Sequence, residues 1–187
     1  MAESVLRPDE ELMLAVKGGN QDAFTVLYRR HQNGLLSFCY QMLRNYEDAG
    51  DVFQEAFRYI FLHAATYEAS AKFTTYLYRI ARNLCIDILR RRRRWNLQQL
   101  DTEIDVQDEH PAQESKLETE EVEAHVKKAL EEVPEPYREV VLLRLVKGLA
   151  YEDIASITDS PLGTVKSRLH AGFAFLRQVL RRKKLIE

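Results

Sequence analysis

Three groups of polar side chains stand out by type and spacing. The first is acidic. Asp48, Asp51 and Glu55 share one side of a helical pattern, with Gln54 beside them, while Ala49, Val52, Phe53, Ala56, Phe57, Ile60, Phe61 and Ala64 fill the other. Isolated surface carboxylates are usually no more than a solvated face. A set of them can also orient and speed the encounter with a cationic partner. The second group is cationic. Arg79, Arg82, Asn83 and Arg90 project from a helical pattern that ends in the unbroken run Arg90 to Arg94. Cations at a helix C-terminus answer its macrodipole, but five in succession repel one another, and a polyanion alongside relieves that repulsion. Tyr67, Tyr76 and Tyr78 accompany them; rings next to cations can stack on exposed bases, whereas Phe73 reads as core. The third group is Thr164, Lys166, Ser167, Arg168 and His170, at the start of a helix that follows a shorter helix and a turn. Lys and Arg pair with guanine edges, and Ser and Thr with phosphates or bases.

Residues for turnover chemistry are missing from the sequence. A helical bundle could hold a metal through Glu-x-x-His pairs, but the residues three before His31, His63, His110, His125 and His170 are Tyr28, Ile60, Gln107, Val122 and Ser167. No P-loop, Gly-x-Gly-x-x-Gly, Gly-x-Ser-x-Gly or His-Glu-x-x-His occurs. Cys39 and Cys85 lie on or beside apolar stripes and read as small core residues. No catalytic residue, metal or cofactor is therefore expected.

The elements that must position these groups are helices. Gly and Pro together number 7 and 5 of 187 residues, about half the usual share. Apolar content of 45% with 30% charged residues is globular. No run of about 18 apolar residues spans a membrane, and Met1 to Asp9 lacks a basic and then apolar leader, which points away from export. Helices are expected from Asp9, as cap, to Gly18; from an Asn20 cap to Arg44; over Glu47–Ala65; and from Phe73 to Arg94, with Phe73, Leu77, Ile80, Ala81, Leu84 and Ile88 inward. Further helices are expected from Val122 to Val133, from Tyr137 to Gly148 and over Tyr151–Ile157. The last begins at Pro161 behind a Ser160 cap. The net charge of −2 resolves by segment into +3 for residues 1–94, −8 for 95–121 and +3 for 122–187. An all-α chain of two small helical domains, 1–94 and 122–187, joined by a solvated acidic linker, is the reading that follows.

The residues also resemble a known family. Glu47-Asp-Ala-Gly-Asp-Val-Phe-Gln-Glu-Ala-Phe57 and the stretch from Phe73 to Leu89 resemble sigma region 2, and Leu149 to His170 resembles sigma region 4. Both in order resemble the extracytoplasmic-function, or group IV, sigma factors. The resemblance implies a protein that binds core RNA polymerase and directs it to promoters. It implies that Asp48, Asp51, Gln54 and Glu55 meet the clamp of the largest polymerase subunit. It implies that the loop Ala64 to Lys72 and the following helix engage the −10 element, with an extruded base held in a loop pocket. Tyr67, Lys72, Arg79, Arg82, Asn83, Arg90 and Arg91 are the expected contacts there. Thr164, Lys166, Ser167, Arg168 and His170 are expected to read the −35 element, while region 4 also touches the flap of the second-largest subunit. An anti-sigma factor as partner, a cytoplasmic location and no membrane insertion are further implications.

Three positions depart from the family pattern. Tyr76 stands where tryptophan is usual, Glu68-Ala-Ser-Ala71 lacks a common glycine, and Ala171-Gly-Phe-Ala-Phe175 is apolar where basic residues are frequent. The last points to weaker backbone contact or to packing against another element. The alternative is a stand-alone helix-turn-helix regulator, which leaves the first block without a role.

Overall fold

The computed structural model describes residues 7–98, 125–126, 128–183 and 185, and no strand occurs among them. The helices are α1 (Asp9–Lys17), α2 (Gln21–Leu43), α3 (Tyr46–Leu62), α4 (Phe73–Gln98), α5 (Glu135–Lys147), α6 (Tyr151–Thr158) and α7 (Leu162–Arg182), with a 3₁₀ turn at Ala64–Thr66. Residues 125–126 and 128–130 are also helical. Of the acidic stretch, 95–98 extends α4 past the expected end at Arg94, and 99–121 lies outside the described residues.

Local chemistry sets several boundaries. The Asn20 and Asn45 side-chain carbonyls accept from the backbone N–H of Ala23 (3.0 Å) and Asp48 (2.9 Å), closing the starts of α2 and α3. Gly148 ends α5 in the left-handed conformation, φ 59°, where glycine carries no Cβ penalty. Asp159 ends α6 the same way at φ 49°, tolerated because short polar side chains visit that region.

Two expected caps are corrected. Pro8 occupies the cap position of α1, and Asp9 is its first residue, drawn into contacts with α2. Pro161, not Ser160, caps α7, and the Ser160 hydroxyl instead donates to the Thr158 carbonyl at 3.2 Å. The 3₁₀ turn, rather than more of α3, holds Ala64 and Ala65, and α3 begins at Tyr46, one residue before the expected Glu47.

In the first domain, α1 and α3 pack against α2, and α4 lies against both α2 and α3. Rings of Tyr28, Phe53 and Phe57 meet edge-on or tilted, with Phe24 against Phe57 at 5.9 Å. The α3 stripe is buried as its spacing predicts, except that Phe61 is half exposed and leans on Phe24 at 5.2 Å. The buried side of α4 is rotated from expectation. Phe73, Leu77, Tyr78, Ala81 and Cys85 are buried, whereas Ile80, Leu84 and Ile88 are only partly so, because Tyr78 inserts against Phe38 at 5.2 Å. Cys39 and Cys85 are free and buried, as expected of core residues.

In the second domain, α5 packs on α7, and α6 joins both. Gly172 makes the α5–α7 approach possible: a Cβ there would sit 2.5 Å from Val141 Cγ2 and 3.2 Å from the Tyr137 carbonyl oxygen. Phe175 stacks on Tyr137 at 5.6 Å. The apolar stretch after His170 therefore packs within its own domain. The domains also meet: α4 lies against α6, and α2 against α5.

Candidate nucleic-acid and polymerase interface

The acidic edge of α3 is held out by the apolar stripe behind it. Asp51 and Gln54 are exposed. Glu55 accepts two bonds from Arg58 at 2.6 and 2.7 Å, and those hydrogen bonds hold its carboxyl below the usual range. Asp48 shares the edge but is paired with Arg92, which also donates to the Leu43 carbonyl at 2.8 Å.

The loop after the 3₁₀ turn is fastened by α1. Lys17 donates to the Tyr67 carbonyl at 2.9 Å, and the Glu10 carboxylate accepts from the Phe73 N–H at 2.8 Å, capping α4 from another helix. Glu68 to Lys72 remain exposed between these ties. Tyr67 differs from an open stacking ring: it is 5% exposed, set against Tyr76 at 5.6 Å and Phe73 at 6.5 Å. Burial, with the Glu10 charge adding to it, pushes its phenol up to about 12. Tyr78 is wholly buried and has no surface for a base.

Along α4, Arg79, Asn83, Arg90 and Arg91 are exposed. Arg82 is not: it is paired with Glu139 of α5. The arginine run divides by partner. Arg92 is tied to Asp48, Arg93 to Glu135, and Arg90 stands 3.7 Å from Asp87. Arg91 and Arg94 have no ion pair to a described residue, and with Arg90, Arg93 and Asp87 they line an open depression of about 490 Å³.

In the second domain, α6, a three-residue turn and α7 form a helix-turn-helix. Val165 and Leu169 point into it, leaving Lys166, Ser167 and His170 exposed, with Thr164 and Arg168 partly so. Ser167 donates to the Thr164 carbonyl at 3.0 Å, and Arg168 donates to the Ser160 hydroxyl at 3.3 Å. Arg168 thus braces the turn. All five side chains expected at the −35 element lie on the first half of one helix, as the sequence predicts. Sequence reasoning missed Asp153, Glu135 and Glu139 as partners of first-domain polar groups, since their partners lie 42 to 81 residues away.

These features define an all-helical DNA-binding protein whose C-terminal helix-turn-helix is coupled to a second helical domain. Residues 27–95 match the sigma-70 region 2 family model and residues 125–176 match sigma-70 region 4. The chain is 32% identical over 176 residues to the ECF RNA polymerase sigma factor SigW of Bacillus subtilis, covering 89% of this chain and 93% of that one. The solved structure of the sigma factor RpoE in complex with the anti-sigma factor NepR from Bartonella quintana superimposes with a TM-score of 0.66 at 26% identity, over 82% of this chain and 95% of that one. CnrH, solved in complex with the cytosolic domain of CnrY, shares the fold with a TM-score of 0.69 at 23% identity, over 93% and 97%. The chain belongs to the ECF sigma factors of bacterial RNA polymerase. It binds core RNA polymerase and promoter DNA and directs promoter-specific initiation of transcription.

Proposed function

We propose a division of this work among the surfaces just described. The exposed carboxylate edge of α3, centred on Asp51 and Glu55 with Gln54 between and Asp48 at its start, docks on the clamp of the largest polymerase subunit. The loop Glu68 to Lys72 and α4, with the exposed Arg79, Asn83, Arg90 and Arg91 and the Glu139-paired Arg82, engage the −10 element and hold its opened strand. Tyr67 acts from beneath, as the buried ring on which the loop rests. Thr164, Lys166, Ser167, Arg168 and His170 read the −35 element as duplex, and the second domain also meets the flap of the second-largest subunit.

The working units are residues 1–94, continued by the end of α4, and residues 122–187, with the acidic stretch between as linker. The roles are binding and strand opening rather than turnover, they are carried out in the cytoplasm, and an anti-sigma factor is a fitting antagonist.

The observation that carries this reading is the segregation of charge. Carboxylates gather on the solvent side of α3, with Asp51 exposed and Asp48 and Glu55 partly so, while cations gather on α4, with Arg79, Arg90 and Arg91 exposed, and the first half of α7 adds exposed Lys166 and partly exposed Arg168. Complementary charge steers docking of each to an oppositely charged partner. Reversing Asp51 and Glu55 to lysine tests it, because neither packs in the core. Core-enzyme affinity is expected to fall at least about tenfold, as close interfacial charge pairs carry 1.5 kcal/mol or more, with −35 duplex binding unchanged. Unaltered core affinity overturns the assignment.

A further inference from the structure

The loop between the 3₁₀ turn and α4 has little structure of its own. Among the described residues, no backbone N–H of Glu68 to Lys72 donates a hydrogen bond, and their side chains supply one, from Lys72 to Asp153 at 2.7 Å. All five residues are exposed. Helix α4 begins immediately after them at Phe73, and the residue before it offers no cap, since the ammonium of Lys72 can only donate.

Both stems of the loop are held by α1 instead. Glu10 and Lys17 are seven residues apart, two helical turns, so their side chains leave one side of α1 about 10 Å apart along its axis. Lys17 Nζ donates to the Tyr67 carbonyl at 2.9 Å, and the Glu10 carboxylate accepts from the Phe73 N–H at 2.8 Å. Tyr67 is tied by that carbonyl alone, because its buried hydroxyl has no hydrogen-bond partner among the described residues. The brace is itself fixed. Leu12, Met13 and Val16 are buried, and Asp9 is bonded to His31 and paired with Arg30 of α2. The His31 ring in turn meets Phe73 edge-on at 5.5 Å.

We infer that Glu10 and Lys17 are positioning residues for −10 recognition: α1 is a two-point brace that presets the shape of the loop in which the opened strand is read. The inference rests on the −10 role proposed for that loop. Neither side chain contacts the strand; each acts through the backbone group it holds. Without the brace, the loop is ordered only when it takes up its matching base, and the lost entropy opposes that capture. A base that the loop does not hold is spared this cost. The brace therefore acts on discrimination between bases, which a bond of purely structural value leaves alone.

The test uses holoenzyme reconstituted from the full chain and core RNA polymerase. It is titrated with the single-stranded non-template −10 segment of a promoter mapped after overexpression, and with segments in which each base is replaced in turn. The wild type defines the position of greatest loss and the discrimination ratio there. Glu10→Ala and Lys17→Met are expected to reduce that ratio about tenfold, the equivalent of fixing the backbone of about one residue. Glu10→Gln keeps an acceptor for the Phe73 N–H, and Lys17→Arg keeps a donor for the Tyr67 carbonyl, so each is expected to restore the ratio. Glu10 is also an anion within electrostatic reach of Lys72, and Glu10→Gln removes that charge while preserving the bond. A ratio that falls as far in Glu10→Gln as in Glu10→Ala makes the effect one of charge and overturns the inference. An unchanged ratio in Glu10→Ala and Lys17→Met overturns it too, even with a lowered melting temperature. Lys17 is exposed, so Lys17→Met and its rescue by Lys17→Arg decide the matter if Glu10→Ala does not fold. A wild type that tolerates every base replacement removes the −10 reading of the loop and the inference with it, a result distinct from failure of the brace.

Discussion

Asp9 opens α1 without capping it, because its carboxylate is committed to α2. It meets His31 Nε2 at 2.7 Å and pairs with Arg30. Burial alone would raise its pKa, but the hydrogen bonds and charges of His31 and Arg30 outweigh that and hold it below the ordinary 3.8. A carboxyl depressed on folding adds stability that is present above the unfolded value, near pH 4, and is lost as pH falls through the folded one. Asp9→Asn should therefore lose about 1.5–3 kcal/mol at pH 7, the usual worth of hydrogen bonds to a charged group. Urea titrations should show the gap to wild type narrowing below about pH 4; a gap constant down to pH 3 contradicts the pairing. This role was not legible in the sequence. Asp9 precedes an apolar-periodic helix as a good cap does, and only the tertiary fold brings His31 and Arg30 to it. Asn20 and Asn45 have no such competitor, and Asn20 caps where its sequence position says it should.

At the scale of elements, periodicity located the α3 stripe because that helix has one apolar face and one solvated face. It failed by a rotation on α4, which is apolar toward α2 and α3 and also covered by α6, so that two sides are sheltered. The same holds for α5, where Val140, Val141, Leu142 and Leu143 are buried in succession. A helix apolar all round needs cover on more than one side, and α7, α6 and α2 supply it. Two glycines give opposite expectations. At Gly50 a Cβ meets nothing within 4 Å, so Gly50→Ala should stabilise by about 0.5–1 kcal/mol through lower unfolded-state entropy. At Gly172 a Cβ would collide with Val141 and the Tyr137 carbonyl. Overpacking of about 1–3 kcal/mol exceeds the helix-propensity gain of about 1 kcal/mol. Gly172→Ala should lower the melting temperature while Gly50→Ala raises it. Parallel thermal melts check both signs, and a stabilised Gly172→Ala would refute the close α5–α7 approach.

For the whole molecule, the net charge of −2 is the least informative description of its electrostatics. Division by segment already separated basic blocks from an acidic stretch. Sequence could not show that carboxylates within the second block face cations of the first, because partners such as Lys72 and Asp153 are 81 residues apart and no local pattern joins them. The arginine run is likewise subdivided only by tertiary structure. Arg92 and Arg93 have internal partners, whereas Arg91 and Arg94 have no ion pair to a described residue. Arg91→Gln with Arg94→Gln should reduce the salt slope of promoter binding by holoenzyme by about 1.4–1.8, at 0.7–0.9 per phosphate contact. An unchanged slope makes those two side chains ordinary solvated charges.

The central claim is that both domains act together on one promoter. Multi-round transcription in vitro with core RNA polymerase, on a template whose promoter was mapped after overexpression, tests it most directly. A transcript of defined start is expected only with this chain present, and it is lost when either the −10 or the −35 element is scrambled. Binding to −35 duplex without any such transcript, or a transcript indifferent to the −10 sequence, would contradict it.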